Sequence, residues 1–238
     1  MPPTNATKSF AVPLNGDGEV ITVGICEPDI RADNLNLTTW TASFILARQL
    51  HKFGLLVDKK EKIPVLEIGA GTGLVGLTAA LILCCKTVLT DLPGIVPGLR
   101  ANVDLNINTL GPIASKVQCG SLDWRTPEIL TLESGATFDV ADTKANIILA
   151  ADTIYDDAHP ELLSRVILTW LARTPSARAI LAYPLRVAYL EQIREIWTLL
   201  EEGGLECEIE GQEQAETRDW DDELLCEYVV LKWKSTGS

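Results

Sequence analysis

A glycine-rich segment directly after a short apolar run limits the folds open to this chain more than any other part of its sequence. Residues 65–68 (Val-Leu-Glu-Ile) predict a buried strand, residues 69–73 (Gly-Ala-Gly-Thr-Gly) follow at once, and an apolar helical stretch begins at Leu74. Glycine lacks a Cβ atom, so the backbone can turn tightly and approach a ligand, and the next helix begins with unpaired N–H groups. This order of elements predicts a ligand site at the first βα connection of an α/β sheet.

Short apolar strands alternate with helices along the rest of the chain, which predicts a parallel sheet with helices on both faces. The strands predicted for this core are residues 65–68, 87–90, 116–121, 147–151 and 179–183, with a final pair at 205–210 and 227–233. The helices predicted between them are residues 74–83, 95–108, 160–172 and 188–202. The stretch between the third and fourth strands is expected to be a polar connection. The predicted fold class is therefore α/β, a single doubly wound Rossmann-like sheet.

The first 55 residues are predicted to form an N-terminal extension that packs on this core, and residues 56–238 to form the core domain. Residues 19–27 are rich in β-branched side chains and are bounded by glycine and proline, which indicates a strand. A helix is expected to follow, with Thr38 or Thr39 as its N-terminal cap.

The formal net charge of the 238 residues is −13, and no run of lysine and arginine offsets it. Such a charge repels phosphate backbones, so we expect no nucleic-acid binding and favour a basic or lysine-presenting protein as partner. Many carboxylates lie late in the chain, where a solvated loop and strand edge explain them more simply than a partner site. These residues are Glu201, Glu202, Glu206, Glu208, Glu210, Glu213, Glu216, Asp219, Asp221, Asp222 and Glu223.

The sequence also bears on compartment and metal binding. The longest apolar stretch, residues 74–85, is too short to cross a bilayer, and the first nine residues carry no apolar signal segment. The six cysteines form no C-x-x-C pair and there are only two histidines, so we expect reduced core cysteines and no bound metal. We therefore expect an intracellular protein, cytoplasmic with a nuclear presence left open, that is a monomer without membrane attachment.

The glycine turn fits two cofactor motifs. Residues 71–76 (Gly-Thr-Gly-Leu-Val-Gly) satisfy the dinucleotide fingerprint G-x-G-x-x-G, and Asp91 lies where that fingerprint expects an acid. The motif E-x-G-x-G-x-G over residues 67–73 instead ends the strand at Ile68 and accounts for Glu67. A buried carboxylate needs a cationic or hydrogen-bonding partner, and an amino-acid ammonium or a sulfonium supplies positive charge that a pyrophosphate lacks. The glycines alone leave both cofactors open.

Two further strand ends carry side chains suited to an adenosine. Asp91 ends the second core strand and can accept hydrogen bonds from both ribose hydroxyls, as in NAD and S-adenosylmethionine enzymes alike. Asp123 and Trp124 follow the third strand, where they can hydrogen-bond and stack on an adenine. Asp123 also suits a simple turn ahead of Pro127. These positions predict a nucleoside cofactor at this edge of the sheet.

Five segments together carry a resemblance to one family. They are Trp40-Thr41-Ala42-Ser43, residues 65–76, Thr90-Asp91, Leu122-Asp123-Trp124 and Asp152-Thr153-Ile154-Tyr155. In these segments the chain resembles the class I methyltransferases, and within them the family 16 protein-lysine methyltransferases, which include the methyltransferase-like 21 group and fungal elongation-factor methyltransferases. The resemblance covers roughly residues 40–233.

The resemblance implies a seven-stranded sheet and S-adenosyl-L-methionine as cofactor, with S-adenosyl-L-homocysteine as product. It implies that the cofactor lies at Glu67, Gly69, Gly71, Gly73, Asp91 and Asp123, with Trp40 and Ala151 closing over it. Without the resemblance, Trp40 would be interpreted as a core aromatic of an amphipathic helix.

Asp152 and Tyr155 are the candidate catalytic residues. They follow the apolar strand at 147–151, so they emerge at the carboxyl edge of the sheet beside the glycine turn. Methyltransferases of amide or base nitrogens resemble one another in Asn/Asp-Pro-Pro-Tyr/Phe at this place, whereas the lysine group carries Asp-x-x-Tyr. The resemblance thus implies a protein lysine as acceptor. We assign Asp152 to orienting its amine, with acceptance of its proton as a further role, and Tyr155 to packing against the amine or hydrogen-bonding it. The alternative is a helix-capping Asp152 and a half-buried Tyr155.

Other functions and roles stay open at this point. The chain could be a small-molecule N-methyltransferase, an NAD-dependent oxidoreductase, or a non-catalytic module that binds a cofactor in order to recognise a partner. His159 could serve as a base, although His159-Pro160 suits the start of a helix better. Residues 183–186 (Tyr-Pro-Leu-Arg) end the fifth strand at the same edge and have no assigned role.

Overall fold

The computed structural model describes residues 7–27, 31–32, 35–36, 38–215 and 224–235. The strands in these ranges are β1 (Thr7–Pro13), β2 (Val20–Cys26), β3 (Arg31–Ala32), β4 (Leu35–Asn36), β5 (Ile63–Ile68), β6 (Thr87–Asp91), β7 (Val117–Ser121), β8 (Ile129–Leu132), β9 (Thr137–Asp139), β10 (Ala145–Ala151), β11 (Arg178–Pro184), β12 (Leu205–Gln214) and β13 (Leu225–Trp233). The helices are α1 (Thr41–Gln49), α2 (Leu74–Leu83), α3 (Val96–Leu105), α4 (Ile107–Leu110), α5 (His159–Trp170) and α6 (Leu190–Glu202), with short 3₁₀ turns at Leu50–Lys52, Gly111–Lys116 and Val187–Tyr189. Every strand and helix predicted for the core is present within a few residues of its predicted ends, except that the helix predicted at 95–108 is divided at Asn106 into α3 and α4. None of the helices in the described ranges is long and apolar enough to cross a membrane.

A nine-stranded sheet forms the centre of the molecule, in the order β12-β13-β11-β10-β5-β6-β7-β8-β9. The five strands from β11 to β7 run parallel, whereas the two strands added at each edge pair antiparallel. Every residue of β5 and β10 is buried, as expected for parallel strands with helices on both faces. The predicted doubly wound α/β class is confirmed.

The expected count of seven strands is wrong, because the supposed polar connection between β7 and β10 contains β8 and β9. In β8, exposed and buried residues alternate, and Leu130 and Leu132 pack into the core. Phe138 of β9 packs on the same apolar cluster. Four residues with one buried face give only a weak period-two signal, and the surrounding sequence is polar.

An N-terminal hairpin of β1 and β2 packs against the core through Phe10, Val12, Val23 and Ile25, which are all buried. The strand predicted at residues 19–27 corresponds to β2. Its partner β1 has no counterpart among the predicted strands, because only two of its seven side chains are buried and its apolar pattern is faint.

Asn102 of α3 and Asn106, the C-cap residue of that helix, bond the free edge of β2. The backbone N–H of Cys26 donates to Oδ1 of Asn102 at 2.8 Å, and Nδ2 of Asn102 donates back to the Cys26 carbonyl at 3.1 Å. Asn106 pairs with the N–H and carbonyl of Gly24 in the same way, at 2.9 and 2.6 Å. Side chains four residues apart lie on one face of a helix. The two carboxamides therefore satisfy the edge of β2 as a neighbouring strand would.

Helix α1 joins the extension to the sheet. Its buried residues Ala42, Ile45 and Leu46 share one apolar cluster with β5, β10 and β11. The predicted cap at Thr38 or Thr39 is wrong: α1 begins after Trp40, and no side chain caps it. The described residues of the predicted extension thus share apolar clusters with the core predicted for the rest of the chain.

Candidate functional site

A cavity opens at the carboxyl ends of β5, β6, β7 and β10, where the strand order changes direction. Ligands of doubly wound sheets bind at this place. All predicted site residues except Glu67 and Gly73 line the cavity. The lining consists of Thr38, Trp40, Ser43, Gly69, Ala70, Gly71, Thr72, Asp91, Leu92, Ile95, Leu122, Asp123, Trp124, Arg125, Ala151, Asp152, Thr153, Tyr155, His159 and Leu162.

The glycine turn forms the floor of the cavity. Its φ angles are +63° at Gly69 and +53° at Gly71, a region that side chains disfavour. A Cβ atom on Gly69 would lie 2.9 Å from both the ring of Trp124 and the methyl group of Thr153. A Cβ atom on Gly71 would meet no protein atom within 4 Å. Gly71 therefore faces open space in the cavity, whereas Gly69 makes room for its neighbours.

Gly73 lies outside the lining and serves α2. It is the N-cap residue of that helix, with a φ angle of +83°. A Cβ atom here would lie 2.6 Å from the side chain of Leu99 and 2.9 Å from that of Leu89. The structure thus gives Gly73 a packing role beneath the turn.

Glu67 is 2% exposed and lies below the glycine turn, outside the lining. Its Oε2 atom accepts a hydrogen bond of 3.0 Å from the backbone N–H of Gly76, an unpaired donor in the first turn of α2. Burial raises the pKa of Glu67 well above its usual value; the hydrogen bond from Gly76 opposes this and the charge of Asp91 adds to it. A Cβ atom on Gly76 would collide with the Glu67 carboxylate. A glycine at position 76 is therefore required by the close packing of α2 on Glu67 and Leu89.

Asp91 is held at the lip of the cavity by the backbone. Its Oδ2 atom accepts a hydrogen bond of 2.7 Å from the N–H of Gly71, and its Oδ1 atom accepts one of 2.7 Å from the N–H of Leu92. Burial raises the pKa of Asp91, and the two backbone hydrogen bonds oppose that shift. Each oxygen keeps a further lone pair, so a fixed carboxylate can accept hydrogen bonds from a pair of hydroxyls.

Asp123 and Trp124 form the neighbouring wall. Oδ1 of Asp123 accepts a hydrogen bond of 2.9 Å from the N–H of Arg125, so this residue shapes the turn and also lines the cavity. The half-buried ring of Trp124 lies across Gly69 and contacts the ring of His159 edge-on, with the ring centres 5.6 Å apart. The wall thus combines an acceptor oxygen with an aromatic face.

Asp152 stands at the opposite wall in a strained backbone conformation. Its φ angle is +55°, which is uncommon outside glycine, and the residue is 6% exposed. Its N–H donates to the carbonyl of Ala182 at 2.9 Å, which fixes the end of β10 to β11. The capping alternative for Asp152 is wrong, since α5 begins at His159 with Ala158 as its N-cap.

Arg186 is a functional candidate to which the sequence assigned no role. Its Nη1 and Nη2 atoms lie 3.2 and 3.3 Å from the two carboxylate oxygens of Asp152. Its guanidinium carbon lies 5.6 Å from the centre of the Trp40 ring. The signal in the sequence is only its place after β11, and the pairing depends on β11 lying beside β10.

Tyr155 and His159 form the outer rim. Tyr155 is 37% exposed, and its ring meets that of His159 edge-on, with centres 4.3 Å apart. The backbone N–H of Tyr155 donates to Nδ1 of His159 at 3.4 Å. Burial lowers the pKa of His159, and the charge of Asp156 works against that shift. The rim therefore offers two aromatic rings at the entrance from solvent.

Residues 27–193 match the family model described as lysine methyltransferase. Over 173 residues the chain is 34% identical to the protein-lysine N-methyltransferase rrg1 of Schizosaccharomyces pombe, covering 73% of this chain and 54% of that protein. Over 211 residues it is 35% identical to the protein-lysine N-methyltransferase EFM2 of Saccharomyces cerevisiae, covering 82% of this chain and 47% of that protein. The chain thus spans about half the length of these curated relatives.

Solved structures support the fold. The crystal structure of the glycopeptide N-methyltransferase MtfA complexed with S-adenosyl-L-homocysteine aligns with a TM-score of 0.54 at 12% identity, covering 87% of this chain and 92% of that one. At such low identity the likeness speaks for the Rossmann-like methyltransferase architecture alone.

Proposed function

The chain belongs to the lysine methyltransferase family, in agreement with the resemblance in its motifs. We therefore propose that it transfers a methyl group from S-adenosyl-L-methionine to a lysine of a protein substrate. The observation that carries this proposal is the meeting of two groups of residues in one cavity. Gly71, Asp91 and Trp124 suit an adenosine, while Asp152 and Tyr155 suit an amine, and all five line the same space.

The residues of the cavity fit the cofactor. The carboxylate of Asp91 would accept the ribose hydroxyls, Trp124 would stack on the adenine, and Gly71 leaves room for the ligand to approach the backbone. Asp123 would hydrogen-bond the adenine edge, with Trp40 and Ala151 beside the cofactor. Glu67 and Gly73 would act on the cofactor through the turn that they support. When bound, S-adenosyl-L-methionine supplies an electrophilic methyl group on a sulfonium.

Asp152 and Tyr155 would prepare the acceptor amine. A free lysine has a pKa near 10.4, so about one in 2,500 is neutral at pH 7, and only the neutral form carries a lone pair for the reaction. Asp152 would accept a hydrogen bond from the amine and aim it, while the ring of Tyr155 would shield it from water. With the amine held by Asp152 and Tyr155, the sulfonium would supply its methyl group to the lone pair of the nitrogen, and the resulting ammonium would release a proton to water.

A translation elongation factor is the first substrate to examine, because the motifs resemble those of the fungal elongation-factor methyltransferases. We propose a basic surface around the target lysine, a monomeric enzyme and a cytosolic location. The net charge of −13 supports the basic surface, and the six free cysteines support the cytosolic location. Of the late acidic residues, Glu216, Asp219, Asp221, Asp222 and Glu223 lie outside the described residues.

The direct test is to incubate the purified protein with methyl-labelled S-adenosyl-L-methionine and a cell lysate. We expect label on the lysine of one or a few proteins, and its loss in Asp152→Ala. Asp142→Ala removes an exposed carboxylate of a distant turn and should keep the activity. Label on RNA or on small molecules, with none on protein, would refute the proposed substrate class.

A further inference from the structure

The ion pair between Asp152 and Arg186 affects whether the site binds the acceptor lysine as a neutral amine or as an ammonium. Asp152 lines the cavity and its side chain is 2% exposed, whereas Arg186 does not line the cavity and its side chain is 22% exposed. The two guanidinium nitrogens face the two carboxylate oxygens. A planar guanidinium that faces both oxygens fixes a carboxylate in orientation as well as in charge.

A lone buried carboxylate would serve the reaction poorly. An opposite charge within about 4–6 Å favours the charged form of a titrating group, so an uncompensated Asp152 would hold the acceptor lysine as its ammonium. That form has no free lone pair, and tight binding of it would raise affinity without raising the rate. A neighbouring cation reduces this effect while leaving carboxylate lone pairs to accept a hydrogen bond from the amine.

Building on the proposed function, we propose that Arg186 is a positioning residue that orients Asp152 and offsets its charge, so that the site accepts lysine as the neutral amine. Arg186 also lies over the ring of Trp40, whose segment leads into α1. The guanidinium therefore joins three elements at the acceptor wall: the start of α1, the end of β10 and the end of β11. A lysine in its place would keep the charge and lose the two-point geometry.

The test compares Arg186→Met, Arg186→Lys and a control, Arg194→Met, whose guanidinium is on the exposed face of α6. The acceptor is the lysate fraction that carries label with the wild-type protein. Single-turnover rates are measured between pH 6.5 and 10 with saturating labelled S-adenosyl-L-methionine. The other titratable groups of the lining are Asp91, Asp123, Arg125, Tyr155 and His159, which stay unchanged in all variants.

We expect the rate to rise with pH as the bound lysine loses its proton. In Arg186→Met the midpoint of this pH–rate profile should move up by about one pH unit. At pH values well below the midpoint, the rate should then be about tenfold lower than that of the wild type. In Arg186→Lys the midpoint should stay near that of the wild type while the limiting rate at high pH falls. Arg194→Met should match the wild type. Calorimetry with S-adenosyl-L-homocysteine should give a Kd within about twofold of wild type for all three variants.

A second comparison asks whether Arg186 acts through Asp152. In an Asp152→Asn background, Arg186→Met should cause no further loss of the limiting rate, because no carboxylate is left to orient. If Arg186→Met lowers the rate by the same factor at every pH, Arg186 is merely structural and the inference is wrong. The inference is also wrong if the rate losses of Asp152→Asn and Arg186→Met multiply in the double variant. If the wild type labels no protein at all, the proposed function fails, and the inference fails with it.

Discussion

Gly71 is the residue whose conformation and surroundings bear most directly on the proposed cofactor site. In Gly71→Ala we expect two separate effects. The left-handed backbone should cost about 1–2 kcal/mol of unfolding free energy, measured by urea titration. The added methyl group points into open space of the cavity, so it should raise the calorimetric Kd for S-adenosyl-L-homocysteine at least tenfold by occupying the ligand's place.

Gly54→Ala is the matched control for this substitution. Gly54 has a φ angle of +58°, close to that of Gly71, and a Cβ atom there also meets nothing within 4 Å. The stability loss should be similar, while the Kd should stay unchanged because Gly54 lies outside the lining. An equal Kd in both variants would show that the ligand does not approach the glycine turn.

Glu67 gives the protein a stability that depends on pH. Burial holds its pKa in the folded protein above the unfolded value of about 4.3. As pH rises from the unfolded pKa toward the folded one, the folded state retains a proton that the unfolded chain has lost, so stability falls. The side chain of Glu67→Gln does not titrate, so the variant does not lose stability in this way. The difference between its unfolding free energy and that of the wild type should therefore grow as pH rises above about 4.

Urea titrations between pH 4 and 8 measure this difference. Glu202→Gln makes the same substitution at an exposed position on α6. Its unfolding free energy should differ from that of the wild type by the same amount at every pH. A difference for Glu67→Gln that falls with pH would mean that the folded protein prefers the ionised carboxylate.

Single residues differ in how well the sequence predicts them. Gly71 and Asp91 belong to short motifs that follow a strand, so their place at the sheet edge is fixed by the order of elements. Trp40 was identified through the family resemblance, since its apolar character alone fits a core position equally well. Arg186 was not assigned, because its contact with Asp152 spans 34 residues of chain and depends on strand order.

Among the secondary-structure elements, α3 connects the N-terminal hairpin to the glycine turn. Besides bonding Cys26, Nδ2 of Asn102 donates to the carbonyl of Thr72 at 3.0 Å. Asn102→Ala removes the partner of the N–H and carbonyl of Cys26, which are partly buried, and of the buried carbonyl of Thr72, so it should cost about 2 kcal/mol or more of unfolding free energy. Because Thr72 is part of the turn, the variant should also bind S-adenosyl-L-homocysteine more weakly, by about fivefold or more in calorimetry.

Asn106→Ala separates the two effects. Asn106 bonds Gly24 of β2 through the same kind of carboxamide pair, and its other hydrogen bond goes to the carbonyl of Asn102 instead of to the glycine turn. It should therefore lower stability by a similar amount and leave the ligand affinity within about twofold of wild type. A loss of affinity in both variants would show that the hairpin itself, rather than the bond to Thr72, supports the cavity.

The strands differ in how well the sequence pattern predicts them. Strands β5 and β10 are continuous apolar runs because both faces are covered, and they were predicted within two residues of their bounds. Strands β1 and β8 have one exposed face and few buried side chains, so the local pattern is too short to identify them. The bonds from Asn102 and Asn106 to β2 join residues 76 and 82 positions apart, and no local pattern encodes them.

For the whole molecule, the net charge of −13 should govern how fast a substrate protein arrives. A negative enzyme attracts a basic partner over a distance set by the Debye length, which falls from about 10 Å at 0.1 M salt to about 3 Å at 1 M. We therefore expect kcat/KM for the labelled acceptor protein to fall about tenfold between 0.05 and 0.5 M NaCl.

Several observations distinguish this steering from damage to the site. The Kd for S-adenosyl-L-homocysteine should change less than about twofold over the same range, because that ligand would be held by short contacts within the cavity. Glu210→Gln, on the exposed edge strand β12, should change kcat/KM less than about twofold, since the field is the sum of many charges. A kcat/KM that stays constant or rises with salt would mean that the target lysine lies on a neutral or acidic surface, which would contradict the basic partner while leaving the methyl transfer itself intact.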